Sequence, residues 1–254
     1  MIEINGLSKS YGQKQALQDL SLKIDSGKIF GFLGHNGAGK STTIKSLVSI
    51  IEPTSGSITF DDLSLSEHRQ EIKERIAYVP DTPDVFLQLT ASEYWDLLAS
   101  AYDIPDSEYS DCRHKLVNLF GMNNHVDETL VSFSHGMRQK SVIIGALLSD
   151  PDVWILDEPL QGLDPQAAYD LKELMKAHAQ KGRTVIFSTH NLDTAEQLCD
   201  ELAILKKGQL IYNGTVQDLL DQHPGQSLEN IYLGMAGRTD DEQLVSDIEG
   251  RHHD

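Results

Sequence analysis

One eight-residue motif restricts the possible folds of this chain more than any other feature of its sequence. The stretch GHNGAGKS, from Gly34 to Ser41, fits G-x-x-x-x-G-K-[ST], with the apolar segment IFGFL before it and the helical pattern KSTTIKSLVSI after it. In such a strand–loop–helix unit, glycines let backbone N–H groups close around phosphate oxygens. Lys40 then reaches the β- and γ-phosphates, and the Ser41 hydroxyl binds Mg²⁺. The predicted nucleoside triphosphate site contains the loop residues Asn36, Gly37, Gly39, Lys40, Ser41 and Thr42.

Acidic residues after a second apolar segment supply the other half of such a site. The stretch VWILDEP begins at Val153, and its apolar residues predict a buried strand. Asp157, at the end of this strand, is placed to hold Mg²⁺ through water, and Glu158 to polarise the water that attacks the γ-phosphorus. His190 follows a third apolar strand, TVIFST, at a carboxyl strand end, where open α/β sheets bind their ligands. We expect His190 to contact the γ-phosphate, and we assign Lys40, Glu158 and His190 to catalysis.

The chain divides into three consecutive regions. Short strand patterns separated by turn residues occupy residues 1 to about 80, helical patterns occupy about 81–149, and strands alternate with helices from 151 to about 220. Buried strands such as VWIL and TVIF favour a parallel sheet covered on both faces. The helical region is therefore predicted to be an insertion between two halves of one α/β domain. The residues after 221 form a short extension whose tail we expect to be mobile.

Composition narrows the environment and the partners of the protein. The formal net charge of −18 opposes nonspecific nucleic-acid binding, which needs clustered Lys and Arg, and direct adsorption to an anionic membrane surface. No apolar run approaches the roughly 18–20 residues that cross a bilayer, and the first residues lack a signal-peptide pattern. Cys112 and Cys199 lack metal-ligand spacing. We expect a cytoplasmic protein with two reduced thiols and no nucleic-acid partner.

A second helix start, far from the first, also has the character of a phosphate site. The stretch FSHGMRQK begins at Phe133 and runs into the apolar helical pattern SVIIGALL. A small hydroxyl residue, a glycine and two cations at the start of a helix present backbone N–H groups and a positive dipole end to an anion. A chain that already has a phosphate loop at Gly34 thus contains a second segment suited to phosphate.

The order of these motifs resembles the ATP-binding subunit of ATP-binding-cassette (ABC) transporters. A phosphate loop, a Ser-x-Gly helix start, DEP, GLDP and STH follow one another, and the likeness covers about residues 1–220. It implies an α/β fold with a RecA-like P-loop NTPase core, an antiparallel β-subdomain and an inserted α-helical subdomain at about 82–149. The ABC domain would cover 1–222, and residues 223–254 would form a C-terminal extension with a mobile acidic tail.

The same resemblance implies further binding roles. Tyr11 in KSYGQKQAL would stack on adenine, a contact worth about 1–3 kcal/mol. Ser134 and the Gly136 backbone would bind the γ-phosphate of an ATP held by a second subunit, and Asp164 in QGLDP would lie in the loop that touches this subunit. Two subunits would pair head to tail, as a homodimer or with a paralogue, with Mg·ATP at each of two interfacial sites.

The chain departs from the family pattern at two places. The usual signature is Leu-Ser-Gly-Gly-Gln, whereas this chain has FSHGM from Phe133, similar to type-2 exporter ATPases. The family usually has glutamine where Asp81 stands in YVPDTPD. Aspartate is shorter and anionic, so we expect Asp81 to act on Mg²⁺ less tightly than that glutamine does, or through water. An acid followed by Thr-Pro resembles the Ecs-like branch of bacterial exporters.

The resemblance implies an ATPase that dimerises on Mg·ATP and drives a separate transmembrane permease, with export of a peptide, lipid or drug-like substrate. The protein would lie at the inner face of the cell membrane through that permease. The segment DVFLQLTASEYWDLL, after Asp81, either packs inside the helical subdomain or forms a groove edge for the permease. An importer ATPase and a soluble ABC-type assembly ATPase that acts on a protein partner are the alternatives. The segment SLENIYLGM resembles a recurrent ending of exporter ATPases and has no assigned role.

Overall fold

A mostly parallel sheet forms the centre of the protein, whose computed structural model describes residues 1–235. The strands of this sheet are β3 (Ile29–Leu33), β6 (Ile76–Val79), β7 (Val153–Asp157), β8 (Thr184–Thr189), β9 (Glu201–Lys206) and β10 (Gln209–Thr215). They lie in the order β10-β9-β3-β8-β7-β6, and all neighbours pair parallel except β9 and β10, which form an antiparallel hairpin. The predicted parallel sheet is confirmed.

A second, antiparallel sheet covers one side of the first. Its strands are β1 (Ile2–Tyr11), β2 (Lys14–Ile24), β4 (Ser55–Phe60) and β5 (Leu63–Ser64), in the order β2-β1-β4-β5. The sequence pattern predicted only the apolar parts of β1 and β2. Their remaining halves, which meet at the turn through Gly12, are mostly polar, and each has one buried leucine, Leu7 or Leu17, so they lack the regular alternation that marks a half-buried strand.

The helices flank the central sheet and account for the predicted helical region. They are α1 (Lys40–Leu47), α2 (Arg69–Glu74), α3 (Ala91–Ala101), α4 (Asp106–Leu119), α5 (His135–Leu148), α6 (Pro165–Gln180), α7 (Leu192–Leu198), α8 (Val216–Asp221) and α9 (Leu228–Met235). Helices α3, α4 and α5 lie between β6 and β7 in the chain. Trp95 of α3 is fully buried and donates its indole N–H to the Ser141 carbonyl of α5 at 2.9 Å, which joins two of these helices.

The limits 82–149, 1–222 and 223–254 remain predictions. Helix α9 lies within the predicted extension, whereas the acidic tail expected to be mobile lies outside the described residues. None of the helices between residues 1 and 235 has the length and apolar character that a bilayer crossing requires.

Two hydrophobic clusters, one on each face of the central sheet, hold the layers together. Along β3, Ile29 and Leu33 pack into the cluster on the side of α5 and α6, while Phe30 and Phe32 pack into the cluster below the antiparallel sheet. Successive side chains of a strand point to opposite faces. Both faces of β3, β7 and β8 are buried, which explains why these strands read as continuous apolar runs. Each large apolar side chain buried in this way contributes about 1.5–3 kcal/mol.

A buried histidine interrupts the apolar packing between α6 and the sheet. The His178 ring meets the Trp154 ring edge-on with their centroids 5.7 Å apart, and His178 Nε2 is buried without a hydrogen-bond partner among the described residues. Burial disfavours the imidazolium ion and lowers the pKa of His178 to about 4. His178 is therefore neutral in the folded protein.

The acid sensitivity of folding should reveal this histidine. Because the pKa of His178 is lower in the folded than in the unfolded chain, the unfolded state binds more protons between these values, and stability is lost as the pH falls. From about pH 7 to about pH 5, we expect the free energy of unfolding to drop by roughly 2 kcal/mol more in wild type than in His178→Leu. Urea denaturation at each pH measures this difference, and the carboxylates that titrate in both proteins cancel. Parallel pH profiles would contradict a buried neutral His178.

Candidate functional site

The phosphate loop connects the carboxyl end of β3 to the first turn of α1. Gly39, the residue before the helix, has φ +114° and provides no capping side chain, and the first turn of α1 contains no acidic residue. The N–H groups at this helix end are therefore available to an anion. A Cβ atom at Gly34 would lie 2.6 Å from the Leu205 carbonyl oxygen and one at Gly39 would lie 2.8 Å from Leu17, so neither position has room for a side chain.

A cavity of about 570 Å³ opens over this loop. Its volume is typical of a site for a small-molecule ligand. The predicted site residues that line the cavity are Tyr11, Asn36, Gly37, Gly39, Lys40, Ser41, Thr42, Asp81 and Glu158. Tyr11 is 47% exposed, and the Lys9 ammonium lies 5.2 Å from its ring centroid. Stacking of Tyr11 on adenine stays a prediction. The fold brings the phosphate loop, the turn between β1 and β2, and the residue after β7 to one cavity.

Asp157 lies directly beneath Ser41, at the end of β7. Its side chain is fully buried, and Oδ1 accepts hydrogen bonds from Ser41 Oγ at 3.1 Å and from Ser188 Oγ at 2.5 Å. Burial raises the pKa of Asp157, with a smaller contribution from the charge of Asp81, and the two serine bonds act in the opposite direction. Oδ2 is buried and has no hydrogen-bond partner among the described residues.

These residues fit the Mg²⁺ ion that the family resemblance implies. An unpaired buried carboxylate oxygen beside a serine hydroxyl is a donor set suited to a hard cation, directly or through water. Within residues 1–235, no three His, Cys, Asp or Glu side chains form a metal cage. The site therefore fits a cation held by a single carboxylate, a hydroxyl and substrate phosphates better than one held by protein ligands alone.

Ser188 is a site residue that the sequence analysis missed. Its fully buried hydroxyl accepts the Glu158 backbone N–H at 2.9 Å while it donates to Asp157, so it fixes both acidic residues. The parallel register pairs Asp157 with Ser188. The signal was present in TVIFSTH, where a serine ends an apolar run, but using it required the alignment of β7 with β8.

Glu158 lies between Lys40 and His190. Lys40 Nζ is 3.1 Å from Glu158 Oε1, in an ion pair whose angles do not make a hydrogen bond, and His190 Nδ1 is 3.0 Å from Oε2. Lys40 also donates to the Gly34 carbonyl at 2.6 Å. Glu158 has φ +49°, a left-handed conformation that costs a residue with a side chain roughly 1–2 kcal/mol. The three residues predicted to act in catalysis therefore form one contiguous group.

The second helix start borders the cavity through His135. Ser134 is exposed at the N-terminus of α5, where its Oγ accepts the Met137 N–H at 3.3 Å, and neither Ser134 nor Gly136 lines the cavity. A Cβ at Gly136 would lie 2.4 Å from the Gly162 carbonyl oxygen, and a Cβ at Gly162 would lie 2.4 Å from the His135 ring. Glycine at 136 is thus required by contact with the 162 loop, and His135 packs against that loop.

Asp164 has contacts within its own chain. Its Oδ1 caps α6 by accepting the Ala167 N–H at 2.9 Å, and its Oδ2 lies 2.6 Å from Lys140 Nζ of α5. The hydrogen bond from Lys140 and that from the Ala167 backbone hold the pKa of Asp164 below its usual value. The loop of Asp164 is thereby tied to the helix that begins after Ser134, and contact of Asp164 with a second subunit stays a prediction.

Comparison with known proteins identifies the family of this fold. The sequence pattern described as ABC transporter matches residues 17–161. The chain belongs to the ABC transporter family. The P-loop NTPase fold and the ATPase activity predicted from the motifs are confirmed.

Curated relatives extend the ABC match beyond these residues. The ABC transporter ATP-binding protein YthP of Bacillus subtilis is 36% identical over 85% of this chain and 88% of YthP. The ABC-type transporter ATP-binding protein EcsA of the same organism is 33% identical over 92% of this chain and 95% of EcsA. The Nod factor export ATP-binding protein I of Mesorhizobium japonicum is 32% identical over 92% of this chain and 68% of that protein.

Solved structures of ABC proteins share the fold. A structure described as the ATP-binding subunit of an ABC transporter is 35% identical, with a TM-score of 0.87, and covers 92% of this chain and 99% of its own. The dimeric cassette MJ0796, solved in a post-hydrolysis state with ADP and phosphate, has a TM-score of 0.77 over 85% of this chain and 99% of its own. At 22% identity, the second likeness is one of fold.

The remaining predicted metal ligand of this ABC protein, Asp81, borders the same cavity. Its side chain is 40% exposed, lines the cavity, and lies 3.7 Å from Lys45 Nζ of α1. Its charge contributes to the raised pKa of Asp157, so the two carboxylates share one electrostatic environment. These contacts favour an action of Asp81 through its charge.

Neutral variants of two lengths test this action. We expect Asp81→Asn and Asp81→Gln each to raise the Mg²⁺ concentration for half-maximal ATPase activity by about threefold or more, because both remove a negative charge near a cation. Titration of Mg²⁺ at fixed ATP measures the shift. If Gln lowered this concentration while Asn raised it, the reach of the side chain would decide instead. Identical curves for all three proteins would remove Asp81 from the metal site.

Proposed function

We propose that this ABC subunit binds Mg·ATP, dimerises on it and drives a separate transmembrane permease, most directly an exporter. The contiguous group Lys40, Glu158 and His190 beside a buried Asp157 carries the proposal, because it unites phosphate binding with a base for water. ATP would lie in the cavity over the phosphate loop, with Tyr11 at the adenine end.

In the proposed reaction, Glu158 accepts the proton of the water that attacks the γ-phosphorus. His190, 3.0 Å from Glu158, orients the carboxylate and contacts the γ-phosphate. Lys40 is paired with Glu158. When ATP binds, the Lys40 ammonium would pair with the phosphates instead, and the Glu158 carboxylate would then be available to the attacking water. Bound Mg²⁺ would neutralise charge on the phosphates. The sum is phosphoryl transfer to water, with ADP and phosphate as products.

Dimerisation is supported by the position of the second helix start. Ser134 is exposed and lies outside the cavity of its own chain, while the N-terminal end of α5 suits an anion. A second copy could bring its own phosphate loop to this helix end, and twofold symmetry would create two equivalent sites. The MJ0796 cassette, which shares the fold, is described as a dimer. ATP would then link two subunits, and its hydrolysis would remove the link.

Coupling to a permease is supported by an exposed apolar surface on the helical segment. Phe86 is 56% exposed, Leu97 is 42% exposed and Val131 is 49% exposed, and the Val131 N–H donates to the Leu87 carbonyl nearby. Export is favoured by the FSHGM signature and by the likeness to a protein named for Nod factor export. An importer ATPase and an assembly ATPase remain alternatives, and the protein would be peripheral to the inner membrane face only with a permease.

The Glu158→Gln variant tests the base. Glutamine keeps the size of glutamate but accepts no proton, so we expect ATP turnover to fall by about 10²–10⁴-fold while ATP still binds. Light scattering of the variant with Mg·ATP should show dimers that persist. Glu173→Gln is the matched control, because Glu173 is an exposed residue of α6 paired with Lys176. Normal turnover by Glu158→Gln would refute its assignment as the base.

Capture of the permease tests the transport function. The tagged protein, expressed in its own cells with neighbouring genes, should purify with an integral membrane protein identified by mass spectrometry. Phe86→Asp should release that partner, because it places a charge on the exposed apolar surface, and aspartate tolerates the positive φ of residue 86. Tyr169→Asp, at a residue 60% exposed on α6, should retain it. Capture of a soluble protein alone would favour the assembly ATPase.

A further inference from the structure

The last described helix contacts the nucleotide site of its own chain. Leu228 and Ile231 of α9 are buried in the core cluster, and the Leu228 N–H donates to Glu196 Oε2 of α7 at 3.3 Å. From the same helix, the Tyr232 hydroxyl oxygen accepts the backbone N–H of His35 at 2.9 Å. Helix α9 therefore connects α7, which follows His190 in the chain, with the phosphate loop.

The bond to Tyr232 fixes a particular peptide unit of the phosphate loop. The N–H of His35 and the carbonyl of Gly34 belong to the same planar peptide group. Tyr232 binds one side of this group, and Lys40 Nζ donates to the Gly34 carbonyl on the other side at 2.6 Å. Rotation of this peptide would therefore break both bonds, so Tyr232 and Lys40 are linked through a rigid unit.

The glycines of the loop make such an anchor useful. Gly34, Gly37 and Gly39 all have positive φ values, and glycine loses more conformational freedom on ordering than other residues. A bond from outside a glycine-rich loop lowers the cost of ordering it when its N–H groups converge on phosphate. The side chain of Tyr232 is partly buried, and α9 is held by two buried apolar residues, so the anchor is itself fixed.

We propose that Tyr232 is a positioning residue for nucleotide binding, which orients the Gly34–His35 peptide and thereby the ammonium of Lys40. The proposal rests on the function proposed above, in which this loop and Lys40 bind the phosphates of ATP. The proposal also gives α9 and the segment SLENIYLGM a role, because Tyr232 in this segment supplies the hydroxyl that binds the His35 N–H of the phosphate loop.

Removal of one hydroxyl tests the proposal. We expect Tyr232→Phe to raise the Kd for ATP and for ADP by about three- to tenfold, the loss that corresponds to one hydrogen bond. The KM for ATP should rise by a similar factor, while kcat at saturating ATP stays within about twofold because Glu158 and His190 are unchanged. Fluorescence titration with a labelled nucleotide and steady-state ATPase assays measure these quantities. Amide hydrogen exchange at His35 should become faster.

A matched tyrosine separates positioning from general stability. The Tyr212 hydroxyl donates to the Thr215 carbonyl at 2.9 Å, away from the cavity, so Tyr212→Phe removes one hydrogen bond of similar length. We expect it to lower the melting temperature slightly and to leave the Kd for ATP unchanged. An equal Kd for wild type and Tyr232→Phe, or an equal rise in both variants, would overturn the proposal. Failure of wild type to bind ATP would instead refute the proposed function.

Discussion

The arrangement of the site depends on one fully buried carboxylate, Asp157. The parallel pairing of β7 with β8 places Ser188 beside it, and the first turn of α1 places Ser41 above it, so two other segments of the chain converge on Oδ1. A carboxylate removed from water without a full set of partners is costly. This cost arises where the phosphate loop, the proposed base Glu158 and His190 lie close together. A shift of β7 against β8 by one residue would therefore separate several site residues at once.

The sequence predicted those parts of the molecule in which short-range patterns decide the structure. The apolar runs of β3, β7 and β8, the loop between Gly34 and Ser41, and the helices between β6 and β7 needed only neighbouring residues. The polar halves of β1 and β2 were not predicted as strands, because their sequences lack a regular alternation of apolar and polar residues. The contacts of Ser188 and Tyr232 were not predicted for a different reason. Each side chain bonds to a residue more than 20 positions away, and no local pattern specifies which strand or helix will lie beside it.

The signature segment shows how a family likeness and a physical contact answer different questions. The likeness assigns Ser134 and Gly136 to the phosphate of another subunit, whereas the structure shows what these positions do within their own chain. Ser134 caps α5, and Gly136 allows that helix start to touch Gly162. Lys140 of the same helix also binds Asp164, so α5 contacts the 162–164 loop at two places.

The left-handed backbone of Glu158 has a consequence for the evolution and engineering of this protein. Glycine would relieve the strain at φ +49° and would be the natural choice for a stability-driven search at that position. The same change would delete the carboxylate that contacts Lys40 and His190. Selection for thermal stability would therefore favour glycine at this position, whereas selection for turnover would favour glutamate. Eight other non-glycine residues between 1 and 235 also have positive φ, so the angle points to function only together with the contacts of Glu158 to Lys40 and His190.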